Sequence, residues 1–338
     1  MKGAGGLDLR VGMVGAGYAA HLRARAIRAF DSERVRMVAV FDKEAGHARQ
    51  LAQEHGLACP ASLEHLCAHP GLNAVSIAVP NRFHFQIARY ALERGLHVLC
   101  EYPLVLADYR QAVFLVRLAE RRNLTLHVGQ TMNYDADHRF LLEHRGELGR
   151  LYLGYKYMSF GALGTWFRQD GFDGDYRGLG SWYVEHHRAG GWIVSSHYHG
   201  IQIFRRVFGE VVSVAAFDST AAGVSAGSVL MRHRGGAGTS IQWGMPMQGQ
   251  PFNKTIVSGA EGSVEVESGR FLLSIGSRRE EGALPTVDTF VEDLKALVEE
   301  LDGKRDARAE RVDMLRNLRV AMTAERAAAS GKVLKVGD

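Results

Sequence analysis

The sequence predicts an α/β domain with a doubly wound parallel sheet. An α+β domain follows, built on an open-faced, mixed and mainly antiparallel sheet with helices. Three observations carry this reading. From Leu9 to about Val128, short β-rich runs alternate with helix-like stretches, the order that folds as parallel strands with crossover helices. The strand candidates there are apolar throughout, as strands covered on both faces are. Beyond Asp135, several β runs follow one another without intervening helices, which predicts antiparallel neighbours.

Each element can be read in turn. Arg10–Val14 is an apolar strand, ended by a glycine turn before the helix Ala19–Phe30. Val35–Phe41 is the second strand and Glu44–Glu54 the helix after it. Ser62–His69 is a short helix before the buried strand Ala74–Val79. His84–Arg94 is helical, and His97–Cys100 is a strand that stops at Glu101-Tyr102-Pro103. Ala107–Arg122 and Thr125–Val128 complete the alternation. The domain boundary falls near residues 130–136, giving domains of 1–132 and 133–338, the C-terminal segment being free to pack back on the first. In the second domain Asp137–His144 is helical and Leu151–Ser159 is a β run. Phe160–Trp182 is rich in glycine and aromatics with no clear period. Ile193–Phe208 is an apolar helix after Gly190-Gly191. Val211–Phe217, Gly227–His233, Gly238–Trp243, Lys254–Val257, Ser263–Val266 and Phe271–Ile275 are strands punctuated by glycine and serine. Val287–Leu301 and Arg311–Ser330 are helices, and Val333–Val336 is a closing strand.

Composition narrows the function. A chain of 338 residues, 46% hydrophobic and 23% charged, holds two ordinary globular domains and needs no staples for its core. The net charge of +4 is mild. Pairs such as Arg121-Arg122 and Arg278-Arg279 are too short for a nucleic-acid stripe, so neither nucleic acid nor membrane is an expected partner. The three cysteines, Cys59, Cys67 and Cys100, form no CxxC pair and fit a reducing compartment. With no apolar signal core at Met1–Arg10 and no bilayer-length apolar run, a cytoplasmic protein is expected.

Gly15-Ala16-Gly17-Tyr18-Ala19-Ala20 has the G-x-G-x-x-G/A form between a strand and a helix, the context in which it binds a dinucleotide. Gly15 allows the tight turn, Gly17 lets a pyrophosphate approach the backbone, and Ala20 permits close packing of helix on strand. The free N–H groups of the helix start then face the phosphates. Asp42 ends the second strand near the expected spacing. Its carboxylate can accept both adenosine ribose hydroxyls and repels a 2′-phosphate, which favours NAD. Lys43, the next residue, could instead reach that phosphate and admit NADP.

With this motif, Val79-Pro80-Asn81-Arg82-Phe83-His84 and Glu101-Tyr102-Pro103-Leu104 resemble the Gfo/Idh/MocA oxidoreductases. That family includes glucose–fructose oxidoreductase, inositol dehydrogenases and biliverdin reductases. The stretch from Ala324 to Val333 is similar to the family's closing helix and strand. The resemblance implies a Rossmann domain followed by an open-faced sheet, with the active site between them and a homodimer or homotetramer formed through the open sheet. It implies that Pro80, Asn81 and His84 line the nicotinamide ribose. It also implies that Glu101 and Pro103 shape the loop beneath the ring, where a cis bond before Pro103 would cost least. A capping or solvated histidine is the plainer reading of His84.

Two positions depart from the family pattern. Most of its dehydrogenases carry lysine where this chain has Tyr102, and an aspartate where it has Ser195; the family histidine four residues on is kept as His199. Residues four apart share a helix face, so Ser195 and His199 could point together. Tyrosine, with a pKa near 10, suits proton donation to a substrate being reduced better than alkoxide formation. Biliverdin reductases also carry Glu-Tyr-Pro, although their likeness to residues 190–199 is poor.

Weaker candidates remain. Lys156, flanked by Tyr155 and Tyr157, could replace the missing lysine or be a solvated strand residue. His197 is two places from His199 and so faces elsewhere. Trp166, Trp182 and Trp192 could line a ring-shaped pocket or simply fill core. His186-His187 are adjacent and point apart, and no metal-ligand spacing occurs. Three functions are open: a reductase of a C=O, C=N or conjugated small molecule with Tyr102 and His199 handling the proton; a sugar or inositol dehydrogenase; and a non-catalytic NAD-binding sensor or scaffold.

Overall fold

The computed structural model describes residues 7–30, 32–159, 191–195, 197–219, 225–245 and 252–337. The chain divides into two compact units, Met1–Thr131 with Asp288–Leu315, and Met132–Val287 with Arg316–Asp338. Sequence order alone assigns residues 133–338 to the second domain; by contacts, 288–315 belong to the first unit.

In the first unit, β1 (Leu9–Val14), α1 (Tyr18–Phe30), β2 (Val35–Phe41), α2 (Ala45–His55), α3 (Leu63–Cys67), β3 (Ala74–Ile77), α4 (His84–Glu93), β4 (His97–Glu101), α5 (Tyr109–Arg122) and β5 (Leu126–Gly129) follow one another. Their five strands form one sheet in the order β2-β1-β3-β4-β5, with every pairing parallel. The order reverses between β1 and β3, and the crevice at the strand ends there is where such sheets bind ligands. Local chemistry sets the helix ends. Asp108 caps α5 by accepting the Arg110 N–H at 2.9 Å, and Asn123, in the left-handed conformation, closes it.

The second unit opens with α6 (Ala136–His144), capped by Asp135, whose Oδ1 accepts the N–H groups of Asp137 and His138 at 3.0 and 3.3 Å. Next come β6 (Leu151–Ser159), α7 (Trp192–Ser195), α8 (Tyr198–Phe208), β7 (Val211–Asp218), β8 (Ser225–His233), β9 (Gly238–Met245), β10 (Phe252–Gly259), β11 (Gly262–Glu267), β12 (Arg270–Ile275) and β13 (Arg278–Ala283). With β14 (Leu334–Lys335) they make a nine-stranded sheet in the order β13-β12-β11-β10-β6-β9-β8-β7-β14. The sheet is mixed because central β6 runs parallel to β9 and antiparallel to β10. Its helix-facing side is buried: a Cβ on Gly154 would strike the Phe208 ring of α8. Leu153, Phe217 and Leu230 are more than half exposed on the other side.

One expectation needs correction, and one strand was not foreseen. The helix expected over 193–208 is two helices, α7 and α8, among the described residues, with His197 at φ −99°, ψ 2° before α8. The strand β13 escapes sequence reading because Arg-Arg-Glu-Glu-Gly-Ala lacks apolar alternation; it forms the charged sheet edge.

Two last helices follow the sheet, α9 (Thr289–Leu301) and α10 (Ala307–Ser330). Leu294 and Leu297 of α9 join Ala26 and Ile27 of α1 over Leu9, Val11, Val35, Ala74 and Leu99. Among the described residues no helix is long and apolar enough to cross a membrane.

Candidate active site

The β1–α1 corner is built around Gly15. Its φ is +101°, a conformation side chains rarely adopt, and a Cβ there would collide with the carbonyl oxygen of Ala78 after β3. The turn is held from β2. Gly15 N–H donates to Phe41 O at 2.8 Å, and Asp42 Oδ2 accepts the Ala16 N–H at 2.8 Å. Asp42 Oδ1 takes the Glu44 N–H at 2.8 Å. Each carboxylate oxygen still has a lone pair for a ribose hydroxyl. Ala20 is fully buried against Met13, Ala16 and Val40, while Gly17, Tyr18 and Ala19 remain partly accessible. Lys43 projects into solvent beside Glu44.

The Tyr102–Pro103 bond is cis. His84, fully buried, braces this loop from below. Its Nδ1 lies 2.8 Å from Pro103 O and its Nε2 2.8 Å from Val79 O. The histidine thus ties the Val79–Pro80 loop to the Glu101–Pro103 loop and is neither a cap nor solvated. Both carbonyls only accept, so a neutral ring, with one N–H, satisfies one of them and only a protonated ring both. Burial pushes its pKa down while the two carbonyls pull it up. Asn81 is buried beside it and Pro80 partly accessible.

Glu101 heads a buried chain of alternating charges that sequence reading missed. Arg23 Nε and Nη2 donate to Glu101 Oε1 at 3.1 and 2.8 Å, and Arg23 Nη1 donates to Asp293 Oδ2 at 2.7 Å. Asp293 Oδ1 and Glu300 Oε1 then lie 3.1 Å from Nε2 and Nδ1 of His127. Burial opposes charge on His127, but the Asp293 and Glu300 carboxylates overcome it and raise its pKa to about 10. Burial likewise raises the pKa of Glu101, against the pull of Arg23. One signal was available: Arg23 falls on the buried stripe Ala20-Ala24-Ile27 of α1, where an uncompensated charge would be prohibitive.

The second unit holds Ser195, His199 and Lys156. Because α7 and α8 are separate, Ser195 and His199 do not share one helix face as expected. Ser195 is buried and its Oγ donates to Gly191 O at 2.6 Å. His197 is fully buried and its ring stacks on Trp243 at 4.0 Å. His199 Nδ1 lies 3.4 Å from Gln202 Oε1, and burial pushes its pKa down to about 3. At neutral pH the ring is therefore an uncharged hydrogen-bonding group.

Lys156 is buried, not solvated: its Nζ donates to Asn253 Oδ1 at 2.8 Å and Thr255 Oγ1 at 3.0 Å. Burial lowers its pKa to about 8 against the upward pull of Asp135 and Asp137. Lys156 stands in register between Thr255 and Ile241. Gly200, next to His199, packs directly on Ile241, where a Cβ would crowd it. The structure thus brings His199, Lys156 and Asp135 into one electrostatic neighbourhood. Trp166, Trp182, His186, His187 and Gly190 lie outside the described residues, and of Trp192 only the backbone is described. Among the described residues no group of three or more His, Cys, Asp or Glu is arranged to hold a metal ion.

Comparison with known proteins follows this division. The model of the GFO_IDH_MocA oxidoreductase family, NAD-binding Rossmann fold, matches residues 9–130. The chain is 34% identical over 125 residues to UDP-N-acetylglucosamine 3-dehydrogenase of Acidithiobacillus ferrooxidans, covering 36% of this chain and 37% of that one. It is 32% identical over 157 residues to D-glucoside 3-dehydrogenase of Escherichia coli, covering 43% of this chain and 42% of that one. The chain thus spans less than half the length of these two curated relatives. Its whole fold is similar to the crystal structure of biliverdin reductase of Synechocystis in complex with biliverdin and NADP+. The TM-score is 0.81 and the identity 23%, over 95% of this chain and 99% of that one. Over residues 9–130, the chain matches the NAD-binding Rossmann domain of the Gfo/Idh/MocA oxidoreductases.

Proposed function

We propose that the protein is an NAD(P)-dependent oxidoreductase that moves a hydride between a nicotinamide and a small-molecule C=O, C=N or conjugated acceptor. The observation that carries this reading is the corner at Gly15. There a side chain is sterically barred and Asp42 stands one hydrogen bond from the turn. That cradle fits a dinucleotide, with the start of α1 toward the pyrophosphate and Asp42 toward the adenosine ribose. The Asp42 carboxylate favours NAD, and solvent-exposed Lys43 leaves NADP as the competitor. Pro80 and Asn81, with His84 behind them, would line the nicotinamide ribose, and Glu101 and Pro103 would shape the floor beneath the ring. The bound dinucleotide supplies the carbon that gives or takes the hydride.

The rest of the chemistry falls to side chains. Tyr102 is the proton donor to a substrate being reduced. His199, uncharged near neutral pH, accepts or donates a hydrogen bond to orient that substrate. Lys156, with a pKa near 8, is a group of the second unit that can exchange a proton near neutral pH. Ser195 serves the Gly191 turn through its hydroxyl. The exposed Leu153, Phe217 and Leu230 support self-association through the open sheet.

A second reading, oxidation of a sugar or inositol hydroxyl, is favoured by the two curated relatives, both dehydrogenases of sugar derivatives by name. One experiment separates the readings: NADH and NADPH oxidation with carbonyl, imine and tetrapyrrole compounds, and NAD reduction with polyols. Tyr102→Phe should lower turnover of the reduced class by about two orders of magnitude. Single-turnover reduction unchanged in that variant would remove Tyr102 from the reaction. Cofactor binding with no turnover anywhere in the panel would mark a binding protein.

A further inference from the structure

A half-buried carboxylate outside the groups assigned above holds the segment that carries Ser195 and leads to His199. Glu325 lies near the end of α10, on a stretch where Ala321, Ala324 and Ala327 are buried. Its Oε1 accepts the N–H of Ile193 at 2.7 Å and the N–H of Val194 at 3.1 Å. These donors belong to the first turn of α7, where no intrahelical acceptor exists for them. The approach depends on Gly191. Its φ is +105°, and a Cβ there would run into the Glu325 carboxylate.

The turn is also closed from its other side. Gly191 O accepts both Ser195 Oγ–H at 2.6 Å and Ser195 N–H at 3.2 Å. The backbone from Gly191 to Ser195 is thus fixed at its N–H end by a remote side chain and at its carbonyl end by Ser195. His197, stacked on Trp243, then sets the start of α8, and His199 follows in its first turn.

We propose that Glu325 is a positioning residue for the oxidoreductase reaction, a carboxylate clamp from the closing helix that fixes the turn leading to His199. The proposal rests on the role given to His199 above. The clamp explains why the glycine is needed: any side chain at Gly191 would expel the carboxylate. Charge matters as well as geometry, because N–H bonds to an ionised acceptor are roughly twice as strong as neutral ones. Burial raises the Glu325 pKa to about 7. The two N–H bonds oppose that rise, and Asp218, at the end of β7, adds a like charge that reinforces it. The clamp is therefore mostly charged above about pH 8, half-charged near pH 7, and weaker below that.

The test compares Glu325→Ala with Glu325→Gln in the full chain. Gln keeps an oxygen that can accept both N–H groups but carries no charge. Amide hydrogen exchange at Ile193 and Val194, read by mass spectrometry with site-resolving fragmentation, reports the clamp without reference to activity. Turnover is read with the panel compound giving the fastest NADH change. Glu325→Ala should lose tenfold or more of the protection at both amides and tenfold or more in kcat, with NAD affinity held within twofold. Glu325→Gln should restore most of the protection and turnover, and its kcat should decline less between pH 8 and pH 6 than that of the wild type, the remaining dependence belonging to groups such as Lys156. Protection unchanged in Glu325→Ala overturns the clamp, and protection lost with kcat unchanged overturns its part in the reaction. If no panel compound is turned over, the oxidoreductase reading fails and the positioning role with it, while the exchange data still decide whether the clamp exists.

Discussion

Asp293→Asn should cost the first unit about 3–5 kcal/mol at pH 6, and that loss should shrink as pH rises. Asp293 is 1% exposed and divides its carboxylate between two cations, Arg23 through Oδ2 and His127 through Oδ1. Breaking a buried pair from one side leaves an uncompensated charge, which costs roughly 3–5 kcal/mol. The pH dependence comes from His127, whose pKa rises from 6.5 unfolded to about 10 folded, with Asp293 the larger carboxylate contributor ahead of Glu300. A raised pKa means stability fully present below pH 6.5 and lost as pH climbs toward 10. The full rise corresponds to at most about 5 kcal/mol, shared between the two carboxylates. The variant's deficit should therefore fall to about 1–2 kcal/mol by pH 9.5, the remainder belonging to Arg23, which stays charged. Urea unfolding of both proteins, followed by far-ultraviolet circular dichroism at pH 6 and pH 9.5, measures this. A deficit below about 1 kcal/mol at pH 6, or one of equal size at both pH values, would refute the reasoning.

Two further outcomes follow from the site. Lys156 releases its proton near pH 8 in the folded chain but near 10.4 when unfolded. The unfolded state therefore binds more protons across that window, and Lys156 adds stability on the order of 2–3 kcal/mol as pH rises through it. Lys156→Met should lack that increment relative to wild type in the same unfolding assay, and an identical slope would remove Lys156 from the buried titrating groups. Gly15→Ala must place a Cβ against Ala78 O at a φ of +101°. NAD affinity should drop at least tenfold on fluorescence titration, whereas an unchanged Kd would show that this turn does not hold the dinucleotide.

The parallel sheet could be read from the sequence because its strands are continuous apolar runs separated by helix-length stretches. The Gly15–Ala20 motif and Asp42 then pointed to its candidate binding edge. What the sequence hid were partnerships across long separations. Arg23 and Asp293 are 270 residues apart, and no local pattern links them, although each sits within a buried helical stripe. Glu325 was similarly invisible, because the N–H groups that donate to it lie 132 and 131 residues away. In β6, aromatic residues flank Lys156 on both sides, so alternation does not say which face is buried. Gly154, packed against Phe208, resolves it. The division between α7 and α8 leaves no glycine or proline at residues 192–199 to announce it.

Isothermal titration of the full chain with NAD and with NADP is the most direct trial of the central claim, that the β1–α1 corner grips a pyridine dinucleotide. The structure predicts saturable one-site binding, tighter for NAD because Asp42 meets the adenosine ribose. Absence of heat with either coenzyme at millimolar concentration would contradict the claim. Much tighter binding of NADP would leave the fold standing and overturn the role given to Asp42.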